Sequence, residues 1–135
     1  AQGGDFPPTV KLVLLTAAYT SEQYHSKFYA EAMNLRREIT REYESLLESY
    51  DLAAMPTTPQ TAQEHDPSIE GPEFIFRSWA NLPNLSPFNV TGQPALSLPV
   101  HESGELPVGV QIVGSRHDDR TVLQAGTSLE AMFRR

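Results

Sequence analysis

Residues 87–99 read PFNVTGQPALSLP, and the chain changes character at the glycine in the middle of this stretch. The pattern predicts one or two helical turns over 84–90. Gly92 then stands where a helix end favours a left-handed residue, and Pro94 follows where a helix cannot continue. The apolar residues 95–100 predict a strand. The stretch also contains four polar side chains: Asn89, Thr91, Gln93 and Ser97. With these residues, the stretch can be either the floor of an active site or only the start of a strand.

The segment that follows predicts a second strand over 106–113. Residues 101–105, HESGE, form a short connection with a Ser-Gly turn, which favours an antiparallel hairpin. In the second strand, Val108, Val110 and Ile112 share one face because side chains alternate along a strand. Gly109, Gln111 and Val113 share the other face, and the glycine there suggests a bulge or the close approach of another backbone.

A helix is predicted at the C-terminal end of the chain. Asp118 is its N-cap candidate, and Asp119 in the first turn suits the helix dipole. Arg134 and Arg135 stand at the end where cations are favoured. Its apolar residues follow helical spacing and predict a buried stripe: Val122, Ala125, Leu129, Met132 and Phe133.

The N-terminal half is predicted to be helical. Pro7 and Pro8 precede a helix over 9–18, and Thr20 with Gln23 has the spacing of a capping box for a longer helix over 21–49. Eight apolar residues at spacings of three and four predict one continuous stripe along that helix: Tyr24, Phe28, Ala32, Leu35, Ile39, Tyr43, Leu46 and Tyr50.

Between the two halves, the short apolar run 52–55 is closed by prolines and predicts a buried strand. Residues 60–72 are polar and predict a surface loop, and the aromatic cluster after it predicts a helical turn in which Trp79 belongs to the core. About three strands and three or four helices result. So few strands offer too little apolar surface to cover the stripe on the long helix. The chain is therefore predicted to be a portion of a larger α/β domain.

Composition excludes several classes of function. The 135 residues carry a net charge of −7, which disfavours nucleic-acid binding. The chain has no cysteine, which excludes disulfides and cysteine chemistry and fits a cytoplasmic location. No apolar run approaches the roughly 20 residues that cross a bilayer, and no signal peptide is visible, so no membrane partner is expected.

The residues alone predict no catalytic constellation. His65, His101 and His117 neighbour acidic residues, but no pair has the spacing of a zinc-binding helix, and surface positions are favoured over a metal-dependent hydrolase. Ser26 and Lys27 are adjacent on neighbouring helix faces and make a poor nucleophile–base pair. No G-x-S-x-G elbow and no phosphate-binding loop are present. No metal and no cofactor are therefore expected.

Four blocks, in order, resemble the C-terminal portion of the amidase signature family. They are the long helix with YDLAAMPTTP at 50–59, PFNVTGQPALSLP at 87–99, LPVGVQIVG at 106–114, and the last helix from Asp118 to Glu130. The stretch YAEAMNLRREITREY at 29–43 is similar to members that hydrolyse small aliphatic or aromatic amides. The resemblance covers roughly residues 10–134, nearly the whole chain.

The resemblance implies an α/β/α fold around a mixed sheet, with residues 1–135 as the C-terminal part of one amidase-signature domain. It also implies amide hydrolysis by a Ser–cis-Ser–Lys triad, in which the lysine acts as base through the bridging serine. None of these three residues has a counterpart in the chain, so no catalytic residue is predicted here. The chain is then interpreted as a C-terminal fragment of an amidase, inactive alone, whose triad lies in N-terminal sequence outside it.

In such an enzyme, the segment 84–93 would lie at the wall of the substrate pocket, and Phe88, Asn89 and Thr91 are the predicted substrate-binding residues. A structural role remains open for Phe88, as a packing residue, and for Asn89, as the cap of a turn. The expected partners are the N-terminal part of the same enzyme and a small amide substrate, with a homo-oligomer left open. The alternative is a non-catalytic binding module that docks a partner through the apolar helix stripe.

Overall fold

The computed structural model describes residues 3–102 and 104–133. A short 3-10 turn, Gly3–Asp5, precedes helices α1 (Pro8–Tyr24) and α2 (Lys27–Ser49). Strand β1 (Ala53–Pro56) follows, and then helices α3 (Gly71–Trp79) and α4 (Ser86–Thr91). Strands β2 (Ala95–Pro99) and β3 (Gly109–Val113) and helix α5 (Asp119–Phe133) complete the chain. The predicted α/β class is confirmed.

The three strands form one sheet in the order β1–β3–β2, with β3 at the centre. Both pairings are antiparallel, so the predicted β2–β3 hairpin is confirmed. In register, Gln111 lies beside Met55 on one side and beside Ser97 on the other. The amidase resemblance implied a mixed sheet, and both pairings among the described strands are antiparallel. Ser103 of the predicted Ser-Gly turn lies outside the described residues.

Helix α5 packs against one face of the sheet. Leu98 and Ile112 from the strands meet Val122 of the helix, and all three are less than 10% exposed, at 7, 2 and 3%. Burying side chains of this size contributes about 1.5–3 kcal/mol each. The backbone N–H of Thr121 donates to Asp118 Oδ1 over 3.3 Å, which confirms Asp118 as the N-cap. This small core therefore joins the sheet to the last helix.

The segment around α4 lies over the opposite face of the sheet. Gly92 closes α4 in the left-handed region, at φ 80°, and donates its N–H to Phe88 O, as the sequence predicted. Phe88 is buried and meets the ring of Tyr43 on α2 edge-on, with ring centroids 5.1 Å apart. Helices thus lie on both sides of the sheet, and α2 reaches it through α4.

The boundary between the first two helices differs from the prediction. Thr20 lies inside α1, where its hydroxyl donates to Thr16 O over 2.8 Å, so the capping box at Thr20 and Gln23 is wrong. The break comes instead at His25, which has a positive φ of 51°. Helix propensities did not indicate a boundary here, because neither a glycine nor a proline lies at the break.

Several residues predicted to be core are exposed. Trp79 is 38% exposed, and Met132 and Phe133 at the end of the last stripe are 69 and 43% exposed. Arg134 and Arg135 lie outside the described residues. On the long helix only Leu47 is buried, although all of α2 is described, and α1, also described in full, buries no residue. The expected shortage of covering surface is confirmed.

Gly109 occupies a position that a larger residue cannot share without movement. A Cβ there would lie 2.7 Å from Thr57 Oγ1 and 2.8 Å from Ser97 Oγ. We expect Gly109→Ala to lower the free energy of unfolding by about 1–3 kcal/mol, because overpacking forces these hydroxyls apart. Denaturant unfolding measures the change. Gly4→Ala is the matched control, since nothing lies within 4 Å of its added carbon. Equal stability of the two variants would contradict the close approach.

Candidate functional site

A cleft of about 510 Å³ opens on the sheet face opposite α5. We name it the amide cleft, after the asparagine and glutamine side chains in its lining. That lining comes from three separate segments of sequence: the turn after β1, the segment around α4, and the paired strands β2 and β3. The lining residues are Thr57, Leu85, Phe88, Asn89, Gln93, Ala95, Ser97 and Gln111. The cleft therefore combines apolar side chains with neutral polar groups.

Two hydroxyl groups meet at the edge of the amide cleft. Thr57 Oγ1 and Ser97 Oγ lie 2.6 Å apart and share one hydrogen bond, in which either can donate. The backbone continues β1 into this contact, since Thr57 N donates to Gly109 O over 2.8 Å. Gly109 faces both hydroxyls and leaves room for the pair because it has no side chain. The sequence suggested a bulge or the close approach of another backbone at this glycine, and the structure instead places two side chains close to it.

A chain of amide groups anchors the loop before α4 to the sheet. The side chain of Gln111 donates through Nε2 to Asn84 O over 3.1 Å. Asn84 in turn donates through Nδ2 to Pro56 O over 2.8 Å, at the end of β1. These two bonds hold the segment that carries Phe88 and Asn89 at a fixed height above β3.

Gln93 differs from Gln111 in its hydrogen bonding. The Thr91 hydroxyl lies within hydrogen-bonding distance of both Gln93 Oε1 and Pro87 O and can donate its single proton to one of them. Gln93 is 5% exposed, and its Nε2 finds no partner among the described residues. Turning the amide over exchanges its two atoms but still leaves one of them unpaired. A buried polar atom of this kind costs free energy unless it gains a partner.

The three predicted substrate-binding residues occupy different surroundings. Asn89 is exposed and Phe88 is 4% exposed, and both line the amide cleft. Thr91 is 1% exposed and lines a different cleft, beside α2. The structure therefore brings Phe88 and Asn89 together and places Thr91 behind them.

The amide cleft can bind but holds no general base. None of its eight described lining residues has an ionisable side chain. The hydroxyls of Thr57 and Ser97 bond each other rather than a lysine or histidine. Such a lining can orient a carboxamide through hydrogen bonds, while a nucleophile would need activation by a group from elsewhere.

The histidines lie outside this cleft. Within residues 3–102 and 104–133, no three histidine or acidic side chains gather at a point that could hold a metal ion. His65 lines a surface cleft of about 500 Å³ together with Asp66 and Arg77. The Ser68 hydroxyl donates to Asp66 over 2.6 Å and the Ser68 backbone N–H over 2.9 Å, and these bonds lower the pKa of the Asp66 carboxyl below its ordinary value. They stabilise a surface turn.

Comparison with known proteins identifies the family. The sequence profile described as Amidase matches residues 2–123. The chain belongs to the Amidase family. All of the lining of the amide cleft falls inside the matched range. Within the part of the chain that the structure describes, none of the helices combines the length and apolar character needed to span a bilayer.

Individual members of the Amidase family resemble the chain over most of its length. It is 39% identical over 125 residues to the enantioselective amidase of Rhodococcus rhodochrous, covering 90% of this chain and 24% of that protein. It is 33% identical over 130 residues to a glutamyl-tRNA(Gln) amidotransferase subunit of Natronomonas pharaonis, covering 96% of this chain and 30% of that protein. This chain thus spans less than a third of the length of either relative.

A solved structure shows the same fold. The crystal structure of a glutamyl-tRNA(Gln) amidotransferase subunit from Thermotoga maritima superposes with a TM-score of 0.69 at 29% identity. The superposition covers 93% of this chain and 28% of that one. The α/β fold predicted from the amidase resemblance is confirmed by this likeness.

Sequence reasoning did not single out Thr57 or Gln111 as site residues, and it left Ser97 open between an active-site floor and a plain strand entry. Alternation placed Gln111 and Gly109 on one face, but the strand that completes that face, β1, lies more than 50 residues earlier. The signal that was available is chemical: a buried glutamine in the centre of a sheet needs a polar partner.

The two buried glutamines support a matched prediction. We expect Gln93→Met to raise the free energy of unfolding by about 1 kcal/mol, because it removes an unpaired buried group at nearly constant volume. Gln111→Met should lower it by about 1 kcal/mol, because Asn84 O then loses its donor. Urea unfolding of both variants measures the difference. A loss of stability in Gln93→Met as large as that in Gln111→Met would show that Gln93 is satisfied.

Proposed function

We propose that the chain is the C-terminal part of an amidase that hydrolyses carboxylic acid amides to the acid and ammonia. One observation carries the proposal: three segments that are distant in sequence and lie within the family match converge on one cleft with neutral hydrogen-bonding groups. In this proposal residues 1–135 form one unit of a larger domain, and the enzyme acts in the cytoplasm and needs no cofactor.

The proposed roles divide between this chain and N-terminal sequence outside it. A nucleophilic serine, a bridging serine and a lysine base would come from that sequence and carry out acylation and hydrolysis. This chain would hold the substrate: Phe88 packs against its apolar part, and Asn89 contacts it at the open side of the cleft. Thr91, which is buried behind them, would hold Gln93 in position rather than touch the substrate.

The surface of the first two helices supports the presence of a partner segment. Leu15 is 69%, Val13 54% and Leu35 55% exposed, an unusual amount of apolar surface for a stable monomer. We propose that the N-terminal part of the same enzyme covers this surface.

The exposed stripe also favours one alternative function. A non-catalytic binding module would use the same apolar face to dock another protein and would have no need of the amide cleft. A homo-oligomer that buries this face is a second way to cover it. Both alternatives predict association without amide hydrolysis.

A chimera tests the proposed function. The matching segment of the R. rhodochrous enantioselective amidase is replaced by residues 1–135, and ammonia release from propionamide and benzamide is measured. We expect turnover by the chimera and none by the 135-residue chain, because the cleft lacks a base. The truncated amidase without a replacement segment is the control. Amide hydrolysis by the 135-residue chain alone would contradict the proposal that the triad lies outside it. A folded but inactive chimera would favour the binding module.

A second prediction separates substrate contact from packing. In the chimera, Asn89→Ala should raise KM about tenfold with little change in stability, because the side chain is exposed and one lost hydrogen bond is worth about 1.4 kcal/mol at most. Phe88→Ala should cost about 3–5 kcal/mol of stability, because the ring is buried against Tyr43. Thermal unfolding and steady-state kinetics give both values. An unchanged KM in Asn89→Ala would leave that residue a purely structural role.

A further inference from the structure

A second cleft, of about 590 Å³, lies between α2 and the loop that precedes α5. Four arginines line it: Arg36, Arg37 and Arg41 from the helix and Arg116 from the loop. We name it the arginine cleft. These are four of the ten basic residues in a chain with 17 acidic ones, so positive charge is concentrated here against the overall balance.

The charges of this cleft are only partly neutralised by the protein. Arg116 donates to Glu44 Oε1 over 2.9 Å, and Arg37 donates to the neutral amide oxygen of Asn34 over 3.0 Å. Among the described residues, Arg36 and Arg41 form no ion pair. Two guanidinium groups are therefore available to a ligand.

Helix geometry makes this arrangement unfavourable when the cleft is empty. Arg37 and Arg41 are four residues apart, so they lie on the same side of α2 and repel each other. Arg36 adds a third charge on the adjoining edge of the same helix. An anion in the cleft would remove this repulsion and accept hydrogen bonds from more than one guanidinium group. Thr40 and Thr91 add hydroxyl groups to the lining.

We infer that the arginine cleft binds a small molecule that carries phosphate or carboxylate groups. The planar fork of arginine matches both groups, and a volume of about 590 Å³ lies within the range of ordinary small-molecule sites. A long polyanion such as RNA is disfavoured, because it would also face the remaining surface of a chain with net charge −7. A compact anion responds to the local field of the four arginines.

This site is separate from the amide cleft and does not rest on the amidase proposal. The segment around α4 divides the two, with Thr91 facing the arginines and Phe88 facing the amide cleft. Loss of amide hydrolysis would therefore leave anion binding intact.

Calorimetric titration of the 135-residue chain with pyrophosphate, and separately with citrate, tests the inference. We expect saturable binding of at least one of them, weakened about tenfold by Arg36→Gln and by Arg41→Gln, because each removes a charge-assisted hydrogen bond. Arg120→Gln, an exposed arginine outside the cleft, is the control and should bind like the parent. Circular dichroism confirms that each variant is folded. Comparison of the affinities for citrate and for pyrophosphate distinguishes a carboxylate ligand from a phosphate ligand.

Three results would overturn the inference. The first is no saturable binding of either anion at low ionic strength. The second is equal weakening by Arg120→Gln, which would indicate general charge attraction. The third comes from the same titration in the chimera: binding by the chain that disappears in the chimera would mean that an acidic segment of the larger enzyme fills the cleft.

Discussion

The central strand β3 must satisfy two opposite environments, and the rest of the structure depends on how it does so. Its apolar face, with Ile112, packs on α5 and forms the small core together with Leu98 of β2 and Val122 of α5. Its other face carries Gln111 and a glycine, so that side chains from both neighbouring strands reach over it. Because β3 lies between β1 and β2, it brings together segments that are far apart in sequence. The amide cleft is a direct consequence of that position.

The contrast between this core and the helical surface explains why the chain resembles part of a larger domain. Leu98, Ile112 and Val122 on the sheet and α5 are less than 10% exposed, whereas α2 buries only Leu47 among its described residues. The stripe on α2 is regular enough to predict the helix from its period alone, yet among the described residues chiefly its C-terminal part, around Tyr43, packs on another element, through the ring of Phe88. A helix of this kind gains stability chiefly from tertiary packing of its apolar side. The exposed apolar side of α2 therefore gains little of this packing among the described residues.

Local chemistry made much of the fold predictable from the sequence. Gly92 at a left-handed helix end, Asp118 at a helix start and Gly109 at a close approach each follow from the properties of a single residue. The break at His25 was not predictable in this way, because a positive φ is uncommon for any residue other than glycine. Pairing of β1 with β3 was also missed, since no short-range pattern encodes contacts between segments 50 residues apart. The arginine cleft depends on such contacts too, because Arg116 joins the other three only in the folded chain.

The polar residues of the opening stretch take on separate roles once the fold is known. Ser97 pairs with Thr57 at the edge of the amide cleft, and Asn89 lies at its open side. Thr91 and Gln93 bond each other through the middle of the segment, with Thr91 on the arginine side and Gln93 on the amide side. Thr91 and Gln93 thus join the linings of the two clefts through one contact.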